Sequence, residues 1–147
     1  MNARSVLLIF ALIMVTACTP EPGPPLSATD VRLFAALTGK NPSVGYLTLH
    51  NHSDLPLTIE RISSANFATV QMHETRISDD VASMQALPSV TIEPGSSVSF
   101  EAGGKHLMLL RPTTGTAAGS AVKLEIHYDA SGLLIVSTTL QNRRSAE

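Results

Sequence analysis

Apolar and polar residues alternate along much of this chain with the two-residue period of a strand. In "VGYLTLHNH", Val44, Tyr46, Thr48 and His50 alternate with Gly45, Leu47 and Leu49, and a turn follows at "NHSDLP". "LTIERISS" and "ATVQMHE" are further short runs of the same kind, and "SVTIEPGSSVSFEAGGKHLMLL" holds three strand-like pieces divided by "EPG" and "AGG". "AVKLEIHYDASGLLIVSTTL" reads as a hairpin around "DASG". "SATDVRLFAA" predicts a helical turn, "DDVASMQALP" a loop, and "RPTTGTAAGSAV" a polar connection. With no long segment of 3.6-residue period, these elements predict a single all-β domain, an antiparallel sandwich or barrel.

The N-terminus departs from that pattern. "VLLIFALIMV" is a continuous apolar run behind Arg4, too short to span a bilayer comfortably, and it ends in "VTAC". Small residues running into a cysteine resemble the lipobox of bacterial lipoproteins. This implies a signal peptide over residues 1–17, lipid on Cys18 and export from the cytoplasm. Thr19 in place of Asp after the cysteine argues, by the sorting rule of such lipoproteins, against inner-membrane retention and towards the outer membrane. Residues 18–27, rich in proline, read as a tether, 28–140 as the β domain and 141–147 as a frayed tail.

From residue 18 onward, nine basic residues stand against twelve acidic ones, which is not the basic footprint of a nucleic-acid binder. Cys18 is the only cysteine, so with lipid on it the domain has neither a disulfide nor a thiolate ligand. Soft-metal chemistry would fall to methionine sulfur.

Beyond the signal segment the chain keeps only Met72, Met84 and Met108. Met72 precedes His73, and Met108 follows His106 by two residues. On a strand, residues i and i+2 share a face, so His106 and Met108 project together while Leu107 and Leu109 face the other way. The same parity puts His73 with Gln71 and Thr69, and Met72 with Val70 on the opposite, core-like side. Soft thioethers with imidazoles suit Cu(I); Ca²⁺ and Mg²⁺ want oxygen, and zinc prefers thiolate or more histidine and carboxylate. On composition alone the histidines also fit ordinary surface or core positions.

The spacing narrows this. His73, Met84, His106 and Met108 read H-x10-M-x21-H-x-M. The motif resembles that of the periplasmic PCu(A)C copper chaperones, and so do its surroundings: "NPSVGYLTLHN", "MHET", "IEPGSSVSFEAGGKHLMLLRP" and the final hairpin, together covering roughly residues 28–140. The resemblance implies a cupredoxin-like fold and one exposed Cu(I) site held by His73, Met84, His106 and Met108. It also implies delivery of copper towards cytochrome c oxidase, often beside a Sco-type protein. Two departures stand out: "ETRISDDVAS" lacks the glycine common before the ligand methionine, and Gln85 stands where a basic residue is frequent.

Glu74 and Met72 are candidate supporting residues around the site. His50 and His52 are a candidate auxiliary pair or a solvated turn, and His127, between Glu125 and Asp129, reads as solvated. No Ser-His-Asp, Cys-His or paired-carboxylate arrangement has a recognisable context, so no enzyme is expected. The alternative to a copper chaperone is an envelope lipoprotein whose β-sandwich is an interaction or structural module without metal.

Overall fold

A computed structural model describes residues 23–37, 42–78 and 81–143. The segments expected to be a signal peptide (1–17) and the start of a tether (18–22, with Cys18), and residues 144–147, lie outside the described residues. Ten strands follow in order: β1 (Leu26–Phe34), β2 (Ser43–Asn51), β3 (Leu57–Ser63), β4 (Phe67–Ser78), β5 (Val81–Leu87), β6 (Val90–Ile92), β7 (Ser97–Phe100), β8 (Lys105–Pro112), β9 (Ala121–Tyr128) and β10 (Gly132–Gln141). They hydrogen-bond in the order β5-β4-β8-β2-β1-β10-β9-β3-β6, with β7 also on β2. The fold is all-β, as expected. Every pairing is antiparallel except the short parallel contact of β1 with β10, Leu33↔Leu140 and Phe34↔Gln141, which joins the two halves of the path.

Alternation sets what faces inward. In β2, Ser43, Gly45, Leu47, Leu49 and Asn51 are buried while the residues between them are half-buried. Leu33, Leu47, Leu49, Leu107 and Leu109 from one half meet Ile59, Ile92, Leu124 and Ile126 from the other in a single core. The outward face of β4, β8 and β2 is thereby left free to carry chemistry.

Two expectations are corrected. "SATDVRLFAA" is not a helical turn but mostly strand, and β1 begins at Leu26, inside the stretch assigned to the tether. Its register shifts between Thr29 and Arg32, where Asp30 takes φ 54°. That bulge breaks the two-residue period and leaves Leu26 and Leu33 buried seven apart, a spacing that imitates a helix face. "DDVASMQALP" is not a loop: Val81–Leu87 pairs with β4 from Met72↔Leu87 to Ser78↔Val81. β5 is an edge strand, exposed on both faces until Leu87, so no core imposes an alternating pattern on it.

Candidate metal site

The four residues of the spacing motif meet on the outward face of the β5-β4-β8 ribbon. His73 on β4 lies directly opposite His106 on β8, and Gln71 lies opposite Met108. Met84 on β5 lies opposite Thr75, two residues along from His73 on the same face. The two imidazoles are 6.1 Å apart between ring centroids and inclined at 37°. Met84, His106 and Met108 line one open cavity of about 370 Å³, walled further by Thr75, Tyr46 and Arg143. A larger cavity of about 740 Å³ lies next to it around Phe34, Tyr46 and Leu140 but holds none of the four donors.

Strand parity does the sorting within β8. Leu107 and Leu109 are fully buried in the core, whereas His106 is 7% exposed and Met108 is half-buried on the other face. Met84 is 66% exposed, so the thioether on the edge strand is open to solvent while the histidines are sheltered.

The turn before β8 aims His106. Gly103 sits at φ 81°, a left-handed conformation that glycine adopts without strain. The Gly104 carbonyl then accepts from Thr75 N–H at 3.1 Å and from His106 Nδ1 at 3.0 Å. A carbonyl can only accept, so Nδ1 carries a proton, and in the neutral tautomer Nε2 is the nitrogen that keeps the lone pair.

His73 is engaged differently. Its Nε2 is 3.1 Å from Gln71 Oε1, and its Nδ1 is buried without any partner. Burial, and then the nearby His106 ring, hold its pKa below the ordinary imidazole value. A neutral imidazole with an unpartnered nitrogen has a lone pair available to a metal ion. No group of three or more His, Cys, Asp or Glu suited to a metal occurs among the described residues. Two imidazoles alone would be an incomplete set, so any metal held here would depend on the methionines.

The two supporting candidates do not touch this face. Met72 is 5% exposed and packs in the core, because its strand continues unbroken to Ser78 and parity turns it inward. It is not a neighbour of the site in the sense expected. Glu74 also points away from the imidazoles. Its carboxylate takes Lys105 Nζ at 2.9 Å and Arg76 Nε at 2.8 Å. These cations, Lys105 first, hold its pKa below the ordinary carboxylate value. Glu74 faces Lys105 across the β4–β8 pair, so it braces the two histidine strands from behind.

His50 and His52 stack at 6.2 Å between centroids, with Nε2 atoms on Thr29 Oγ1 at 2.9 Å and Ser27 Oγ at 2.7 Å. His50, near the end of β2, and His52, just past it, do not line the cavity. His127 rests on Arg61 and Ser63. Two residues escaped the sequence reading: Tyr46, in the cavity wall, and Gln71, beside His73. The signal for Gln71 was its place two residues before His73 on a polar strand face.

A family profile described as "Putative lipoprotein LpqE-like" matches residues 26–139. Among curated proteins no significant match is found. Among solved structures, a copper-bound PCuAC domain from PmoF2 superposes with a TM-score of 0.64 at 20% identity, over 81% of this chain and 94% of that one. The Cu(I) form of DR1885 from Deinococcus radiodurans superposes with a TM-score of 0.61 at 20% identity, over 86% of this chain and 83% of that one. An apo PCuAC domain from PmoF1 gives 0.64 at 16% identity, over 81% and 95%. The fold is therefore that of the PCuAC domains.

Proposed function

The chain belongs to the LpqE-like family, and from that premise and the donor set on its outer face we propose that it is a Cu(I)-binding chaperone of the bacterial envelope. One observation carries the reading. The sheet register brings His73, Met84 and the His106–Met108 pair, from three separate strands, onto one face, and one of the two imidazoles has a buried nitrogen with no partner. The copper-bound PmoF2 domain and the Cu(I) form of DR1885, which share the fold, support it.

In this reading copper is cargo. Two neutral thioethers and two neutral imidazoles bind Cu(I) without fixing a negative charge beside it, so ligands can leave one at a time. Met84, the most exposed donor, is the natural first to let go to an acceptor's thiolate or imidazole. The acceptor is a copper-receiving protein, a Sco-type protein or a subunit of cytochrome c oxidase. The protein performs no catalysis. Lipid on Cys18 holds it on the periplasmic face of a membrane, the outer membrane by the residue that follows the cysteine.

The test is Cu(I) competition titration with X-ray absorption on the loaded protein. The expected result is one Cu(I) per chain with two sulfur and two nitrogen neighbours. Met84→Leu combined with Met108→Leu should weaken binding by about a hundredfold or more, and an unchanged affinity would overturn the assignment.

A second reading, a metal-free interaction module, draws on the uncharged edge strand β5 and on Ile77 and Met84, exposed side by side on one face of its hairpin. It predicts no copper in the protein recovered from cells and loss of partner capture in Ile77→Asp.

A further inference from the structure

His73 and His106 face each other across two strands, yet their rings are held by opposite nitrogens. His106 is pinned through Nδ1 by the Gly104 carbonyl, which leaves Nε2 free. His73 is pinned through Nε2 by Gln71, which leaves Nδ1 buried without a partner.

Two features fix the second arrangement. The atom of Gln71 that meets Nε2 is the amide oxygen, at 3.1 Å, and an oxygen can only accept. The proton must therefore sit on Nε2. Turning the amide over would let its NH₂ donate to Nε2 and would move the proton to Nδ1. But Nδ1 is buried with nothing to receive a hydrogen bond, and an unsatisfied buried N–H is costly. A bare lone pair in that position is the cheaper state and is also the one a soft cation can use. Gln71 is itself exposed and lies opposite Met108, so it borders the donor set without belonging to it.

We propose that Gln71 is a positioning residue: it accepts the Nε2–H of His73 and so presents Nδ1 to the cargo, and the two histidines bind Cu(I) through different nitrogens, Nδ1 of His73 and Nε2 of His106. The proposal rests on the copper reading above and deepens it. A hydrogen bond on the far N–H of a ligand histidine fixes the ring and makes the binding nitrogen more basic, and losing such a partner typically weakens metal binding 10- to 100-fold. Gln71 reaches from its own strand, two residues away on the same face, so its hold on His73 does not depend on Met84 or on the exposed hairpin.

The experiment is long-range ¹H–¹⁵N NMR on the full chain labelled with ¹⁵N-histidine, apo and with stoichiometric Cu(I), for the wild type, Gln71→Leu and Gln71→Glu. In the apo wild type His73 should show a protonated Nε2 and a bare Nδ1, and His106 the reverse. Cu(I) should shift Nδ1 of His73 and Nε2 of His106. Gln71→Leu should lose the single-tautomer signature at His73 and bind Cu(I) about tenfold more weakly, while Gln71→Glu, which keeps an acceptor, should restore both. A Cu(I)-dependent shift at Nε2 of His73 would overturn the donor assignment. A His73 tautomer unchanged in Gln71→Leu would overturn the role of Gln71. If neither ring responds to Cu(I), the copper reading falls and the donor assignment with it, while the apo spectra still decide whether Gln71 sets the tautomer.

Discussion

His73 shows how one side chain can be held ready by its surroundings. It is half-buried and keeps its ring neutral because burial, and then the neighbouring His106, disfavour the charged form. The sign of the effect on folding follows. As pH falls below the ordinary value of 6.5, the unfolded chain takes up a proton at this position before the folded one does. Stability should therefore drop with acidification through that window, and level off once the folded ring also protonates. Urea melts of the apo protein between neutral and mildly acidic pH should show this slope, and His73→Gln should reduce it. Bound Cu(I) competes with the proton, so loading should suppress the His73 titration seen by NMR. A slope of the same size in His73→Gln would assign the effect to other groups. The face on which this histidine sits was legible in the sequence, since parity with Gln71 and Thr69 is a local property. Its pairing with His106 was not, because thirty-two intervening residues fold through other strands before the two meet.

At the scale of elements, β8 was read most fully, because a core on one face and donors on the other force a clean alternation. β5 and β1 were misread for two different reasons. β5 has no buried face to impose a period, and the bulge in β1 replaces its period with one that resembles a helix. The placement of Met84 therefore had to come from the sheet, although its spacing to His106 and Met108 was already in the sequence. What keeps β8 in place is close packing at Gly45 of β2, which lies opposite Leu107, next to the Val44↔Met108 pair. A Cβ at Gly45 would lie 2.7 Å from Leu33 Cδ2 and 3.2 Å from Leu107 Cβ. Leu33 is fully buried, and the second neighbour is attached directly to the backbone, so neither has much room to yield. Gly45→Ala should therefore destabilise the domain by about 1–3 kcal/mol through overpacking, despite the ordinary gain from removing a strand glycine. The check is a denaturant midpoint that falls with an unchanged m-value. A midpoint at or above that of the wild type would mean that β2 and β8 are not packed as closely as described.

On the scale of the whole molecule, the strands separate the proposed tether from the proposed copper donors. β1 enters at Leu26, paired with Asn51 at the far end of β2, and His52 N–H is bound by the Pro25 carbonyl at 2.8 Å. The donors lie at the other end of β2, where Val44 pairs with Met108. The seven-residue step from Val44 to Asn51 spans about 23 Å at strand rise. In the proposed lipoprotein the anchor thus holds the end of the domain opposite the copper site. The eight residues from Cys18 to Pro25 add up to roughly 25 Å of reach in an extended, proline-rich chain. An anchor so placed should govern where the protein is and not how tightly it binds. Cys18→Ser should move the protein from the membrane fraction to the soluble fraction while leaving Cu(I) affinity within about twofold, since no donor is supplied from that end. Delivery to an acceptor anchored in that same membrane should slow in the same variant, because tethering raises the effective concentration of the partners when the linker can span between them. Fractionation, competition titration and transfer kinetics on one pair of preparations would separate these effects. A change in Cu(I) affinity on losing the lipid would show that the tether end and the donor end are not independent, and would overturn this division of the molecule.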